Sequence, residues 1–364
     1  MSDRAAIIAD FLRRSGWGDA RRAPLAGDAS FRRYERLRRG NEAAVLMDAP
    51  PPHEDVGPFV RVGRALRTLD LGAPAKLAED AAAGLLLLED LGDDTYTRVL
   101  AQHPEREESL YALATDTLVA LHRGFRLPGG AAALTSRAGA PSGEAAGPID
   151  SARSAPGAPG DGFPRFTDER AIAEAERLLE WTWPAVKGSP PPPAAAESFR
   201  AAWREILPAW RGVPESLILY DFHVDNLILR PDLSGVAACG LLDFQDGVIG
   251  PIGFDLMSLV QDVRRDVPEA LARRMIDRYL AAFPRLDREA FLASYAVGGA
   301  QRNVRILGTF VRLWKRDGKP GYLAWMPRVW RVVEANLAHP ALAPLARWFD
   351  QHFPPAERAR PLPK

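Results

Sequence analysis

The chain has 364 residues, 47% of them hydrophobic and 26% charged, and its 47 basic and 47 acidic side chains cancel. That length allows two or three domains, or one enzyme with a large core, and the composition excludes a disordered chain. Balanced charge removes the electrostatic footprint of a general nucleic-acid binder, so no nucleic-acid partner is expected. A single cysteine, Cys239, offers neither an internal disulfide nor a thiolate cluster for a structural metal, and a reducing cytoplasm is the expected compartment. No apolar run approaches the roughly 18 residues a membrane helix needs, since Leu85 to Leu88 is closed by Glu89, so no membrane partner is expected.

Along the chain, Ile7, Ile8, Phe11 and Leu12 recur at helical spacing among Arg4, Asp10, Arg13 and Arg14, which predicts a surface helix and not an export signal. A small polar loop, Gly27 to Ser30, leads into a strand over 31–37. The turn Arg39-Gly40-Asn41 joins it to a second strand over 43–47. Phe59, Val62, Leu66 and Leu69 predict a helix over 58–70 lying on that sheet, and 84–88 reads as a further strand. After Gly92 the pattern turns helical, with Leu110, Leu113, Leu118 and Leu121 on one face, then 166–183, 196–210, and 268 to the end. Residues 129–162 are almost wholly Ala, Gly, Pro and Ser and read as a flexible insertion, because they cannot bury enough surface to offset their ordering entropy. Residues 187–193, with four consecutive prolines, read as a stiff connector. The outline is an α+β, bilobal enzyme. Residues 1–92 form a small β-rich lobe, 93–364 a large mainly helical lobe, and the site lies in the cleft.

Within the helical region, 217–244 is an island of strand-like sequence. Leu217 to Leu229 places two apolar stretches around the polar loop Asp221 to Asn226, and Val236 to Leu242 delivers Asp243-Phe244-Gln245-Asp246. The turn Arg230 to Gly235 makes the two parts neighbours, so Asp221, Asn226 and Asp243 are expected to converge at one end of a small antiparallel sheet. Phosphoryl transfer needs a carboxylate to orient the acceptor hydroxyl and receive its proton, and oxygen ligands to hold Mg²⁺ against the nucleotide phosphates. An Asp, an Asn five residues on, and an Asp-Phe about seventeen residues later match the catalytic-loop and metal-Asp arrangement of kinase-like enzymes. Asp221 is then the base, and Asn226 and Asp243 the metal ligands. His223 and Asp225 suggest a zinc pair less well, since the six His are scattered and no His-x-x-x-His helix occurs. A P-loop and a Gly-x-Ser-x-Gly elbow are both absent. Asp255, in Gly253-Phe254-Asp255-Leu256, reads as a cap or loop anchor.

Tyr220 to Asn226, with His223 two positions after the Asp, resembles the loop of the aminoglycoside phosphotransferase and choline kinase superfamily, which is protein-kinase-like. More narrowly, Gly27 to Tyr34, Leu46 to Pro51, Leu85 to Asp93, Leu241 to Asp246, Gly250 to Leu259, and Gln301-Arg302-Asn303 through Lys319 resemble bacterial anomeric sugar kinases. These phosphorylate N-acetylmuramate and N-acetylglucosamine in cell-wall recycling. The resemblance implies ATP and Mg²⁺ as cofactors, an amino sugar as acceptor and a sugar 1-phosphate as product; a monomer is the expected state of the chain. Aminoglycoside, choline and homoserine kinases are the alternatives.

One departure stands out. Kinase-like enzymes pair a third-strand Lys with a Glu of the following helix to grip the α- and β-phosphates, whereas here Met47 takes the strand position and the helix after Gly57 has no acid. This absence keeps a nucleotide-binding pseudokinase open as a second reading. The nearest substitutes are Arg32 or Arg33, only one of which can face the cleft, together with backbone amides of the Gly27 to Ser30 loop. Leu87 to Gly92 is the expected interlobe hinge, where backbone groups near Glu89 to Leu91 meet the adenine, with Leu46 and Leu88 as apolar walls or as core. For the acceptor, residues 264–331 hold thirteen Arg and two Lys against six acids, which disfavours a polycation and favours a neutral or anionic sugar. Arg302 or Arg305 is placed to pair with a carboxylate, His223 to hold the loop at the acceptor, and Gln245 to lie beside it.

Overall fold

The computed structural model describes residues 2–25, 31–127, 162–358 and 362. Gly27 and Ser30 of the polar loop, and all but Gly162 of the expected insertion, lie outside the described residues. The chain has a β-sheet-rich N-terminal region and a largely helical C-terminal part. It divides into two compact units, residues 1–121 with 224–247, and residues 122–223 with 248–364. Compactness thus groups the first helices after Gly92, and the segment carrying Asn226 and Asp243, with the sheet; the sequence-based division at 92 follows strand content alone.

The first unit opens with α1 (Ser2–Arg14), then β1 (Arg21–Pro24), β2 (Arg33–Arg39), β3 (Glu42–Asp48), α2 (Gly57–Arg67), β4 (Lys76–Asp80) and β5 (Leu85–Glu89). The five strands form an antiparallel sheet in the order β1-β2-β3-β5-β4. Ile8, Phe11 and Leu12 of α1 pack on Leu37, Ala44, Leu46, Leu85 and Leu87, one face of the sheet as period-two alternation requires. Leu46 therefore belongs to that core and is not an open adenine wall. The second face buries Leu86, Leu88 and Met47, so β5 is covered on both sides and reads as an unbroken apolar run. The expected helix over 58–70 ends three residues early, at Arg67, where the Thr68 N–H caps back onto the carbonyl of Arg64.

Next come α3 (Tyr96–Gln102) and α4 (Glu107–Gly124), and, later in the chain, β7 (Leu227–Leu229) paired antiparallel with β8 (Cys239–Leu241). Gly72, in the segment between α2 and β4, holds this pair. The Leu241 N–H donates to the Gly72 carbonyl at 3.0 Å, and a Cβ on Gly72 would stand 2.2 Å from the carbonyl oxygen of the buried Cys239, so only glycine fits there. Phe59 of α2 stacks on Phe244 with centroids 4.7 Å apart, which packs the segment after β8 under the same helix.

The second unit holds α5 (Asp168–Ala175), a π-helical turn (Leu178–Thr182), α6 (Trp183–Lys187), α7 (Pro193–Trp210), β6 (Glu215–Ile218), β9 (Val248–Pro251), α8 (Phe254–Val260), α9 (Glu269–Ala282), α10 (Arg288–Lys315), α11 (Met326–Leu337), α12 (Ala343–His352) and α13 (Pro355–Arg358). Its core includes Phe166, Trp203, Trp210, Phe254 and Tyr220. The stiff connector appears as expected, with Gly188 left-handed at the end of α6 and Pro193 opening α7. The small sheet expected over 217–244 is not one sheet. Ile218 and its neighbours pair with Val248–Pro251, a strand too short and too rich in Gly and Pro to read in sequence, while Leu227–Leu229 pairs with Cys239–Leu241.

Candidate active site

In the second unit, β6 ends at Ile218 and the chain turns sharply, with Tyr220 at φ +76°. This is an unfavourable region for a bulky residue. Asp255, at the start of α8, holds the turn. It is fully buried and accepts the N–H of Leu219 at 2.5 Å and of Tyr220 at 2.9 Å. Burial pushes its carboxyl up to about 7, against those two donors, which favour the charged form. The loop-anchor reading of Asp255 fits this geometry, and the next side chain along the chain is that of Asp221.

Asp221 is one-third exposed, and Arg305 Nη2 lies 3.8 Å from its Oδ1. Arg305 does more than pair. It donates to the Tyr220 hydroxyl, stacks on that ring at 4.5 Å, and stands 4.0 Å from Glu174 of α5. The Tyr220 hydroxyl in turn donates to Glu174 at 2.5 Å, and Arg170 Nε donates to the same carboxylate at 2.9 Å. Burial raises the Glu174 carboxyl, but the charge of Arg305 with the Tyr220 and Arg170 bonds outweighs it, leaving Glu174 below the ordinary carboxylate range. Arg302, one turn earlier on α10, is 1% exposed, and its Nε and Nη1 are buried without a hydrogen-bond partner. Burial pulls its guanidinium down to about 10, partly offset by Asp221, so it stays charged at neutral pH. His223 is buried, and that burial, with the charges of Arg264 and Arg302, holds its imidazole neutral. Asp221, His223, Arg302 and Arg305 are thus brought together in one unit.

In the first unit, Asn226 closes a 3-10 turn (Val224–Asn226) ahead of β7, and its carbonyl accepts the N–H of Leu242 at 2.9 Å. That bond places Asn226 against the residue preceding Asp243, which takes φ +53°. Gln245 Nε2 donates to Asp243 Oδ1 at 2.7 Å, and Gln245 Oε1 is buried without a partner. Gln245 therefore stands with Asp243, one of the two residues expected to hold the metal. Neighbouring Asp225 accepts from Thr97 of α3, which ties the turn down and explains that acid without a metal.

Of the residues expected to meet the nucleotide, Arg33 is exposed at the start of β2, whereas Arg32 is half-buried with its Nε 3.6 Å from Glu54 Oε2. Glu54 also accepts the Phe31 N–H at 3.2 Å, and Phe31 stacks on His53 at 4.9 Å. Glu89 turns its carboxylate to the Ala75 N–H at 3.0 Å and to Arg230 at 2.5 Å, so its side chain is engaged at home. The segment beyond it, expected to be the hinge, is fastened by Arg36, which reaches Asp90 at 2.7 Å and Asp93 at 2.7 Å. Leu91 packs against Gly240.

A profile of the phosphotransferase enzyme family matches residues 21–292. The chain belongs to that family. It is similar to an N-acetylmuramate/N-acetylglucosamine kinase of Caulobacter vibrioides, 37% identical over 97% of this chain and 98% of the relative. It is also similar to one of Pseudomonas aeruginosa, 31% identical over 91% of this chain and 89% of the relative. Solved structures with the same fold include a choline/ethanolamine kinase family protein from Mesorhizobium loti (14% identity, TM-score 0.57, 96% of this chain and 99% of that one). Another is aminoglycoside 2'-phosphotransferase-IIIa in its GDP complex (11% identity, TM-score 0.58, 92% and 99%). The fold is the protein-kinase-like one expected from the Asp221 to Asn226 loop.

For a phosphotransferase, the donor set in the first unit suits a hard cation. No group of three His, Cys, Asp or Glu occurs among the described residues, but Mg²⁺ needs only one or two protein oxygens besides phosphates and water. Asp243, the Asn226 amide and the orphaned Gln245 oxygen are all oxygen donors. Sequence reasoning missed two features. Glu54 precedes the helix in which an acid was sought, so its pairing with Arg32 was invisible. Glu174 lies far along the chain from Tyr220 and Arg305, and its only local signal was the (i,i+4) spacing with Arg170. No described helix is long and apolar enough to cross a membrane.

Proposed function

We infer that this phosphotransferase transfers the γ-phosphoryl group of Mg·ATP to the anomeric hydroxyl of N-acetylmuramate or N-acetylglucosamine, giving the sugar 1-phosphate. The observation that carries this is the 37% identity, spanning nearly all of both chains, to a kinase named for those two sugars. The acceptor side supports it, because Arg302 and Arg305 beside Asp221 make a cationic wall suited to the lactyl carboxylate and hostile to a polycationic antibiotic. A buried guanidinium with unpartnered nitrogens is costly unless an anion meets it.

In this mechanism Asp221 accepts the anomeric O–H, orients its oxygen toward the γ-phosphorus, and takes the proton as the new O–P bond forms and the bond to ADP breaks. Arg305 fixes the Asp221 carboxylate, and the neutral His223 packs the loop beneath the sugar. Asn226 and Asp243, with Gln245 steadying Asp243, would hold Mg²⁺, which supplies charge neutralisation at the phosphates. Arg32, held by Glu54, is the cation that stands in for the missing Lys. The backbone of Glu89 to Leu91 meets the adenine. Residues 1–92 serve as the nucleotide lobe and 93–364 as the catalytic and acceptor lobe, acting as a monomer in the cytoplasm.

An acceptor panel with Mg·ATP, with the phosphate position read by NMR, tests the assignment. A sugar 1-phosphate is expected from either amino sugar, and Asp221→Asn should lower kcat by about 10²–10⁴ while leaving ATP binding intact. Turnover of choline or an aminoglycoside, with neither amino sugar phosphorylated, refutes it.

A further inference from the structure

Arg302, Arg305, Thr309, Arg312 and Arg316 follow one another along α10 and its C-cap at spacings of three, four, three and four residues, which puts all five on one helix face. The near end of this stripe is the part beside Asp221. The middle of it meets Arg177, whose Nη1 lies 3.5 Å from Thr309 Oγ1 as a donor. A Cβ on Gly308 would stand 2.2 Å from the carbonyl carbon and oxygen of Arg177, so the Arg177 backbone sits directly on α10 at a place only glycine leaves open. Arg177 is also the residue that opens the π-helical turn, and such turns concentrate at functional sites.

Arg312, in turn, has its Nε buried without a hydrogen-bond partner. Burial, then the like charges of Arg177 and Arg316, lower its pKa, and Asp317 and Glu180 do not reverse this. Asp317 is already taken by Arg316 in a two-point contact at 2.7 and 3.1 Å, and Glu180 is exposed. Backbone packing therefore brings Arg177 onto the stretch of α10 that carries Arg312, near enough for the two like charges to act on each other, and neither Asp317 nor Glu180 cancels that effect. That arrangement suits an incoming anion.

We propose that Arg177 and Arg312 form a second anion subsite, which takes the carboxylate of a peptide joined to the lactyl group of the acceptor sugar, so that N-acetylmuramyl-peptides are acceptors alongside the free sugar. This rests on the acceptor class inferred above. Seven residues separate Arg305 from Arg312, about 10 Å along the helix at roughly 1.5 Å per residue. Two extended peptide residues add about 7 Å beyond the lactyl carbonyl. Amide linkage also removes the lactyl charge, so the acceptor's anion moves outward along the stripe in the direction of Arg312.

The test uses the full chain with Mg·ATP, following ADP release and confirming products by phosphorus NMR. Its three acceptors are N-acetylmuramate, N-acetylmuramyl-L-alanyl-D-isoglutamine, and the same dipeptide with its carboxylate amidated. The dipeptide should be phosphorylated, and amidation should raise its KM about tenfold, the loss of one charge-assisted contact. Arg312→Ala, and independently Arg312→Gln in case the alanine variant folds poorly, should raise KM for the dipeptide about tenfold with kcat held, while KM for the free sugar stays within about twofold. Phosphorylation of the free sugar without the dipeptide overturns the subsite and leaves the enzyme's assignment standing, as does an equal rise in KM for both. No turnover of any of the three overturns the acceptor class, and the subsite with it.

Discussion

Replacing Asp255 with alanine should loosen the turn that presents Asp221. Two buried N–H groups, those of Leu219 and Tyr220, end on its carboxylate, and each would be left unsatisfied at about 1–3 kcal/mol, or about 2–6 kcal/mol together. Tyr220 would then be free to leave φ +76°, which returns about 1–3 kcal/mol of backbone strain. The balance is a local destabilisation of about 1–3 kcal/mol. Hydrogen exchange reads this directly, because the Leu219 and Tyr220 amides should exchange about tenfold to a hundredfold faster in Asp255→Ala. Phosphoryl transfer should fall about a hundredfold, the scale of a misplacement near 1 Å of the group next in the chain. If both amides stay as protected as in the wild type while kcat is unchanged, Asp255 does not hold the turn, and the account of how Asp221 is positioned is wrong.

Three further outcomes are expected. Arg32→Ala should raise KM for ATP about tenfold, and Glu54→Gln by a smaller factor in the same direction, since Glu54 acts through Arg32; unchanged ATP kinetics in both would move the phosphate grip elsewhere. Gly72→Ala drives a methyl into the Cys239 carbonyl at 2.2 Å, and because backbone cannot swing aside, a loss of more than about 2 kcal/mol should appear as a lowered urea midpoint. His122 is fully buried with Nδ1 2.6 Å from the Tyr279 hydroxyl, and burial depresses its pKa to about 3. The unfolded chain binds that proton at about 6.5, so this contribution is complete above about pH 6.5 and is lost as pH falls toward 3, by up to about 5 kcal/mol. Denaturation of His122→Gln at pH 4 and pH 7 should show a shallower pH dependence than the wild type.

What could be read from sequence was whatever a short window contains. The apolar spacing of Ile8, Phe11 and Leu12 and the hairpin around Gly40 each sit within a few residues, and each found its element; the Asp221, Asn226 and Asp243 triple was legible as a motif of fixed spacing. Arg21–Pro24 and Lys76–Asp80 escaped notice because edge strands with exposed side chains show no alternation. The partner of Ile218 was missed for a related reason, since Val248–Pro251 becomes a strand only by pairing. The same limit governs the site. Tyr220, Arg305 and Glu174 form one network from three distant stretches, and neither spacing nor composition marks residues that meet only after folding. Arg32 was legible as a cation near a polar loop, but the acid that orients it was not, because the expected partner was sought on a helix and Glu54 stands before it.

The approach of Gly72 to Cys239 has a practical consequence. Cys239 is the chain's single cysteine, fully buried on the strand that leads to Asp243, and burial pushes its thiol up to about 11. At neutral pH almost none of it is thiolate, and no reagent reaches it while β8 stays closed. The unaltered protein thus carries its own labelling clock. The rate at which a thiol reagent modifies it counts how often this strand opens, and slowing of that rate by nucleotide and Mg²⁺ would register ligand binding near this strand, as the proposed role of Asp243 requires, without any engineered probe.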